Sequence, residues 1–192
     1  GVFVKAGSTA TVSGNTILGT REDGSAGNGI RIDGADDVAI AGNEIRQPLI
    51  AAGDQSNGVY ATNLAASDEL RLTRNRITGM TGTGLVLADA AGPVSSNGDI
   101  LAGNSERSVY AGNAPDVTLA NDTIVAGTPA PVELNGAALT VDSSILSVPI
   151  TSSGGDVSCA ISYSRGPAII EGGNGCGAFQ TTADPGFVDP GA

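Results

Sequence analysis

Two short motifs alternate along the chain, and their recurrence limits the fold more than any other feature. The first reads "GVFVKAG" (1–7), "GIRIDGA" (29–35), "GVYATN" (58–63), "GLVLAD" (84–89), "SVYAGN" (108–113), "PVELNG" (131–136) and "SVPITS" (147–152). The second reads "TVSGNTI" (11–17), "AIAGNEI" (39–45), "RLTRNRI" (71–77), "VSSNGDI" (94–100) and "TLANDTI" (118–124), with shorter variants "TVDSSI" (140–145) and "DVSCAI" (156–161). Apolar residues fall two apart in each copy of the first motif, the period of a strand with one face in a core. In "AIAGNEI" the Gly42–Asn43 pair interrupts this pattern and Ile45 resumes it, so the second motif reads as strand, turn, strand. No segment keeps the 3.6-residue period of a buried helix.

The repeating unit is therefore three short strands followed by a loop of variable length, as at 18–29, 46–58 and 78–84. Three short strands cannot bury a core alone. Stacking the units as coils about 4.8 Å apart solves this, because each strand then pairs with its copies above and below. The anchor isoleucines Ile17, Ile45, Ile77, Ile100, Ile124, Ile145 and Ile161 recur 16 to 32 residues apart. The expected core takes Val2, Val4, Ile30, Ile32, Val59, Leu85, Leu87, Val109, Val132, Leu134, Val148 and Ile150 from the first strands. The second and third strands add Val12, Ile17, Val38, Ile40, Ile45, Leu70, Leu72, Ile77, Val117, Leu119, Ile124, Val141 and Ile145. At the turn, Asn15, Asn43 and Asn75 share one corner, while Asn97 and Asn121 stand one place earlier. All five are expected to be structural, since Asn tolerates tight-turn backbone and its amide can bond the amides above and below.

The "V-x-I-x-G-N-x-I" repeat resembles the right-handed parallel β-helix of the pectin-lyase-like superfamily. The closing stretch 161–192 resembles the last coils of large bacterial secreted or surface β-helix proteins, in which an "adPgFvdp" turn ends the helix. The resemblance implies an all-β chain, a right-handed parallel β-helix of three sheets and about seven coils. Residues 1–165 would form the coils, and 166–192 the last coil and C-terminal extension of the same domain. That fold hosts lyases, hydrolases, epimerases, adhesins and phage tailspikes, so it leaves function open.

Composition narrows the choice. Of 192 residues, 20 are acidic and nine basic, for a net charge of −11. This argues against nucleic acid, whose phosphates need a basic footprint. No apolar run approaches the roughly 18 residues that span a membrane, so membrane insertion is not expected. The absence of His removes Ser/His and Cys/His nucleophile pairs and every His-ligated metal. The 29 glycines are roughly twice the usual share, and they fit many tight turns. Cys159 and Cys176 lie about one coil apart. Stacking would bring them within disulfide range, which fits an oxidising, extracellular or cell-surface location. The chain opens directly on a first-type strand. It reads as part of something longer, and an uncapped end invites end-to-end self-association.

Enzymes of the resembled superfamily work on the first-strand sheet. Its outward row is expected to hold Phe3, Arg31, Tyr60, Val86, Tyr110, Glu133 and Pro149, and the next row Lys5, Asp33, Thr62, Ala88, Gly112, Asn135 and Thr151. Tyr rings can pack on sugar faces, and Arg31 can pair with a uronate. The candidate ligand contacts are therefore Arg31, Tyr60, Tyr110, Glu133, Lys5 and Thr62, and the expected partner is a polysaccharide or other extracellular glycan. The leading reading is a structural or carbohydrate-contacting module of adhesin or stalk type. The alternative is a polysaccharide lyase or hydrolase acting on acidic polysaccharide with Asp33, Arg31 and Asp54. The catalytic elements of the resembled hydrolases, lyases and epimerases are not complete in this sequence. No cofactor or metal is expected. Calcium is the one ion considered, because "DGSAGNG" and "GDQSNG" are oxygen-rich, but they lack EF-hand spacing.

Overall fold

In the computed structural model, residues 1–19, 27–47, 56–125, 132–162 and 164 are described in full, and 170–171 by backbone alone. They form three parallel sheets and no helix. The first sheet stacks β1 (Val2–Val4), β4 (Gly27–Asp33), β7 (Ser56–Thr62), β10 (Thr83–Ala88), β13 (Arg107–Gly112), β16 (Val132–Asn135), β19 (Ile150–Gly154) and β21 (Ile170–Glu171). The second stacks β2 (Ala10–Ser13), β5 (Val38–Ala41), β8 (Leu70–Thr73), β11 (Val94–Asn97), β14 (Val117–Ala120), β17 (Ala138–Asp142) and β20 (Ser158–Ser162). The third stacks β3 (Thr16–Leu18), β6 (Glu44–Arg46), β9 (Arg76–Thr78), β12 (Ile100–Ala102), β15 (Thr123–Val125) and β18 (Ile145–Leu146).

Every neighbouring pair within a sheet is parallel and one coil apart in sequence, which defines a β-solenoid. Six coils contribute a strand to all three sheets, and β19, β20 and β21 continue only the first two. The expected count of about seven is thus corrected to six complete turns. Third-sheet strands end at β18 among the described residues.

The core is a set of apolar ladders running along the axis. Ile30, Val59, Leu85, Val109 and Val132 stack in one, and Ile32, Ala61, Leu87, Ala111 and Leu134 in the next, all essentially inaccessible. Large and small residues alternate in the second ladder. Val2, Ile17 and Ile145 are only half-buried, against expectation. Val2 and Ile17 belong to the first coil, which lacks a described coil above it. Ile145 reflects a register error.

That error affects two turns. Ile100 pairs with Arg76 and Thr123, while Leu101 pairs with Ile77 and Ile124 and is buried. Likewise Ile145 pairs with Thr123, and Leu146 takes the core position beside Ile124. Aligning on isoleucine therefore shifted both motifs by one residue. Ile161 belongs to the second sheet, opposite Val141.

The corrected register places a different set of residues at the corner. The left-handed backbone falls on Gly14, Gly42, Arg74, Gly98, Asn121 and Ser143, each one residue before the corner side chain. The corner ladder is Asn15, Asn43, Asn75, Asp99, Asp122, Ser144 and Ser164, each after the first accepting the backbone N–H of the one before. Asn97 and Asn121 are not in it. Asn97 ends β11, Asn121 is a left-handed turn residue, and the two touch each other on the exposed side at 3.4 Å.

Candidate functional site

The outward row of the first sheet runs Phe3, Arg31, Tyr60, Val86, Tyr110, Glu133 and Thr151 by strand register. Its last member is Thr151 where Pro149 was expected, because β19 enters the sheet at Ile150. The second row runs Asp33, Thr62, Ala88, Gly112 and Asn135, and a register shift places Gly154 next to Asn135. Lys5 lies one residue beyond β1 and is exposed.

The row divides into two clusters. In the first, the Arg31 guanidinium lies over the Phe3 ring at 5.5 Å and reaches Asp33 at 3.4 Å. Asp33 also accepts Asn63 Nδ2 at 2.9 Å. Arg31 is therefore shared between an exposed ring and a partly exposed carboxylate. The rungs beside Arg31 and Asp33 carry Phe3, Tyr60 and Thr62, so among the described residues no second acid stands on an adjacent rung. Asp54, the remaining catalytic candidate, lies outside the described residues.

The second cluster is a shallow groove over β10, β13 and β16, of about 290 Å³. Asn57, Thr83, Arg107, Tyr110, Glu133 and Asn135 line it, with Val86 at its floor. Val86 points outward yet is 8 % exposed, flanked by Tyr60 and Tyr110 on the rungs either side. Tyr60 and Tyr110 are thus two rungs apart, roughly 9.6 Å along the backbone.

Tyr110 is held from two sides. A Cβ on Gly112 would come within 2.8 Å of the Tyr110 Oη, so the glycine leaves the space in which the ring leans along the sheet. Arg107 stands over the ring with its Cζ at 5.3 Å from the centroid, a cation–π contact. Arg107 is in turn clamped by Glu133, through its Nε, and approaches Glu106 at 3.8 Å. Partial burial pushes the Glu133 carboxyl up, but the hydrogen bonds from Arg107 and Ser153 and the Arg107 charge outweigh it and leave it below the usual range. The groove therefore contains an ionised pair whose charges cancel, a braced aromatic ring and several amide and hydroxyl groups.

Of the candidate contacts, Tyr110 and Glu133 line the groove. Tyr60 flanks its floor, while Arg31, Lys5 and Thr62 lie outside it. Arg107, Asn57 and Thr83 were missed because the first strands begin earlier than the apolar pattern suggests. Arg107 pairs with Thr83 ahead of the first core residue. The polar pairs Asn28–Asn57 and Gly27–Ser56 extend β4 and β7 in the same way. Their only sequence signal is a polar residue immediately before "GV" (58–59), "GL" (84–85) and "SV" (108–109).

Cys159 lies on β20 opposite Leu139, half-buried against the core, and is disulfide-bonded. Cys176, the other cysteine of the chain, lies outside the described residues. Among the described residues no group of three or more His, Cys, Asp or Glu is placed to hold a metal. The oxygen-rich loops considered for calcium fall largely outside the described residues.

A family model described as a right-handed β-helix region matches residues 1–174. Searches of curated proteins and of solved structures gave no match. Three parallel sheets repeat coil by coil over the same span as that match, so the chain belongs to the right-handed β-helix family.

Proposed function

We propose that this β-helix is a non-catalytic module, outside the cell or on its surface, that contacts a polysaccharide along the groove over β10, β13 and β16. The observation that carries the reading is the braced Tyr110 ring beside a neutralised Arg107–Glu133 pair. A ring fixed before binding loses little rotamer entropy when a sugar packs on it. The Asn135 amide, and the bonding capacity left on the Asn57 amide beyond Asn28 and the Thr83 N–H, suit sugar hydroxyls. Because Glu133 already satisfies Arg107, a uronate would find no free cation in the groove. The chemistry thus favours neutral glycans over acidic ones. A disulfide at Cys159 agrees with an oxidising compartment.

A glycan array tests this. The parent chain is expected to bind neutral polysaccharide. Tyr110→Ala is expected to lower affinity about tenfold or more, the effect of losing roughly 1.4 kcal/mol, with far-UV circular dichroism unchanged. Absence of binding by the parent, or unchanged binding by Tyr110→Ala, would reject the reading.

A lyase or hydrolase remains the second reading, resting on the Arg31–Asp33 pair. Its mark would be new reducing ends, or an unsaturated product, released from acidic polysaccharide by the parent and lost in Asp33→Asn.

A further inference from the structure

The corner ladder changes chemistry partway along, from Asn15, Asn43 and Asn75 to Asp99 and Asp122, then to Ser144 and Ser164. Each fully bonded member does two things. One oxygen accepts the backbone N–H of the coil before, as Asn43 Oδ1 does from Asn15 at 3.0 Å. A hydrogen is also donated to a second-sheet carbonyl of that earlier coil. Asn43 donates to Val12 at 2.8 Å and Asn75 to Ile40 at 2.8 Å, while the Ser144 hydroxyl lies 3.3 Å from the Leu119 carbonyl and 2.8 Å from that of Asp142.

Val12, Ile40, Leu72, Ser96 and Leu119 are equivalent by strand register. The pattern therefore assigns the Leu72 and Ser96 carbonyls to Asp99 and Asp122. An ionised carboxylate has no hydrogen to donate. Asp99 is compensated, because its Oδ2 accepts Ser96 Oγ–H at 2.7 Å. Asp122 is not: its Oδ2 is buried without a partner. Both side chains are 1 % exposed, and an unpaired buried charge is costly.

No ion pair among the described residues includes either carboxylate. The charged groups in the neighbouring turns are Arg74 and Arg76 above, both exposed, and Asp142 below. Asp142 bonds Ser143 and Ser162 rather than the pair.

We propose that Asp99 and Asp122 hold one proton between them, carried on Asp122 Oδ2, and that the step from the fourth to the fifth coil is a pH-sensitive joint that weakens as pH rises toward neutrality. The proton supplies the donor that the corner lacks and removes one of two stacked buried charges. Burial raises both carboxyls above their ordinary range, hydrogen bonds to each offset part of the rise, and the negative Asp99 adds a smaller push to Asp122, which reaches about 7.

The sign follows from linkage. The folded chain keeps a proton that the unfolded chain releases near pH 4. Stability therefore falls as pH rises through that value, and it levels off above about 7. Asp122→Asn reproduces the protonated form, with Nδ2 as the permanent donor.

Thermal unfolding of the parent chain and of Asp122→Asn across pH 5 to 9 separates the outcomes. The difference between their Tm values is expected to widen by about 5 °C or more as pH rises, the variant being the more stable at pH 9. Carboxyl ¹³C titration gives a second readout: one of the two carboxyls should titrate near neutrality, and Asp99→Asn should lower the Asp122 midpoint. Parallel Tm profiles, or two carboxyls that both titrate below pH 5, would overturn the proposal.

Discussion

Replacing Asn75 by alanine is expected to cost about 3–5 kcal/mol of stability, seen as a lower midpoint in urea unfolding. The magnitude follows from how many buried groups depend on one amide. Asn75 Oδ1 accepts from Asn43 N and from Asn43 Nδ2, both at 3.0 Å. Its Nδ2 donates to the Ile40 carbonyl at 2.8 Å and to Asp99 Oδ1 at 2.9 Å. Asn75 and Asn43 are each 1 % exposed, so water cannot replace the lost partners. Each orphaned buried group costs about 1–3 kcal/mol. Asn15→Ala is the matched control, because Asn15 is exposed at the open end of the same ladder. It should cost less than about 1 kcal/mol. Equal losses for the two variants would show that the ladder adds nothing beyond a turn preference.

Gly58→Ala is expected to be comparably damaging, at about 3 kcal/mol or more. Gly29, Gly58 and Gly84 stack just ahead of the first core ladder. A Cβ on Gly58 would stand 2.2 Å from Ile77 Cγ2 and 2.5 Å from the Gly84 carbonyl oxygen. The carbonyl is backbone in a parallel sheet, so it cannot retreat without spoiling the pairing of two coils. The constraint is close approach, since no positive φ occurs at Gly58. Gly42 gives the contrast: its φ is 62° and nothing lies within 4 Å of an added Cβ. Gly42→Ala should cost only the left-handed backbone penalty of about 1 kcal/mol. Urea unfolding of both variants checks the ordering, and a reversal would refute the steric account.

Much of the fold is legible in the sequence because a solenoid repeats its instructions. The period-2 apolar pairs locate the strands, and variable loops mark the unit boundaries. Legibility failed wherever one residue of offset mattered. Ile100 and Ile145 match the anchors by residue type alone, whereas Leu101 and Leu146 occupy the core. The same offset concealed Asp99 and Asp122, which sit where Asn sits in earlier coils. A side-chain period of two makes each single-residue slip exchange inside for outside.

The candidate site was legible in part. Tyr60, Tyr110 and Glu133 could be assigned to one outward row, since parallel register carries equivalent positions from coil to coil. Arg107 could not, because it precedes the apolar pattern. Its roles come from contacts with Glu133 and Tyr110 across strands and along the sheet.

By itself the sequence determined the class of architecture, because local alternation with turn residues at regular intervals has few packed solutions. The tertiary structure decided which turn residue is buried, which glycine touches backbone, and which arginine is neutralised. Those outcomes depend on contacts between residues some 20 to 35 positions apart, and the spacing of a motif along the chain does not encode what lies one coil above or below it.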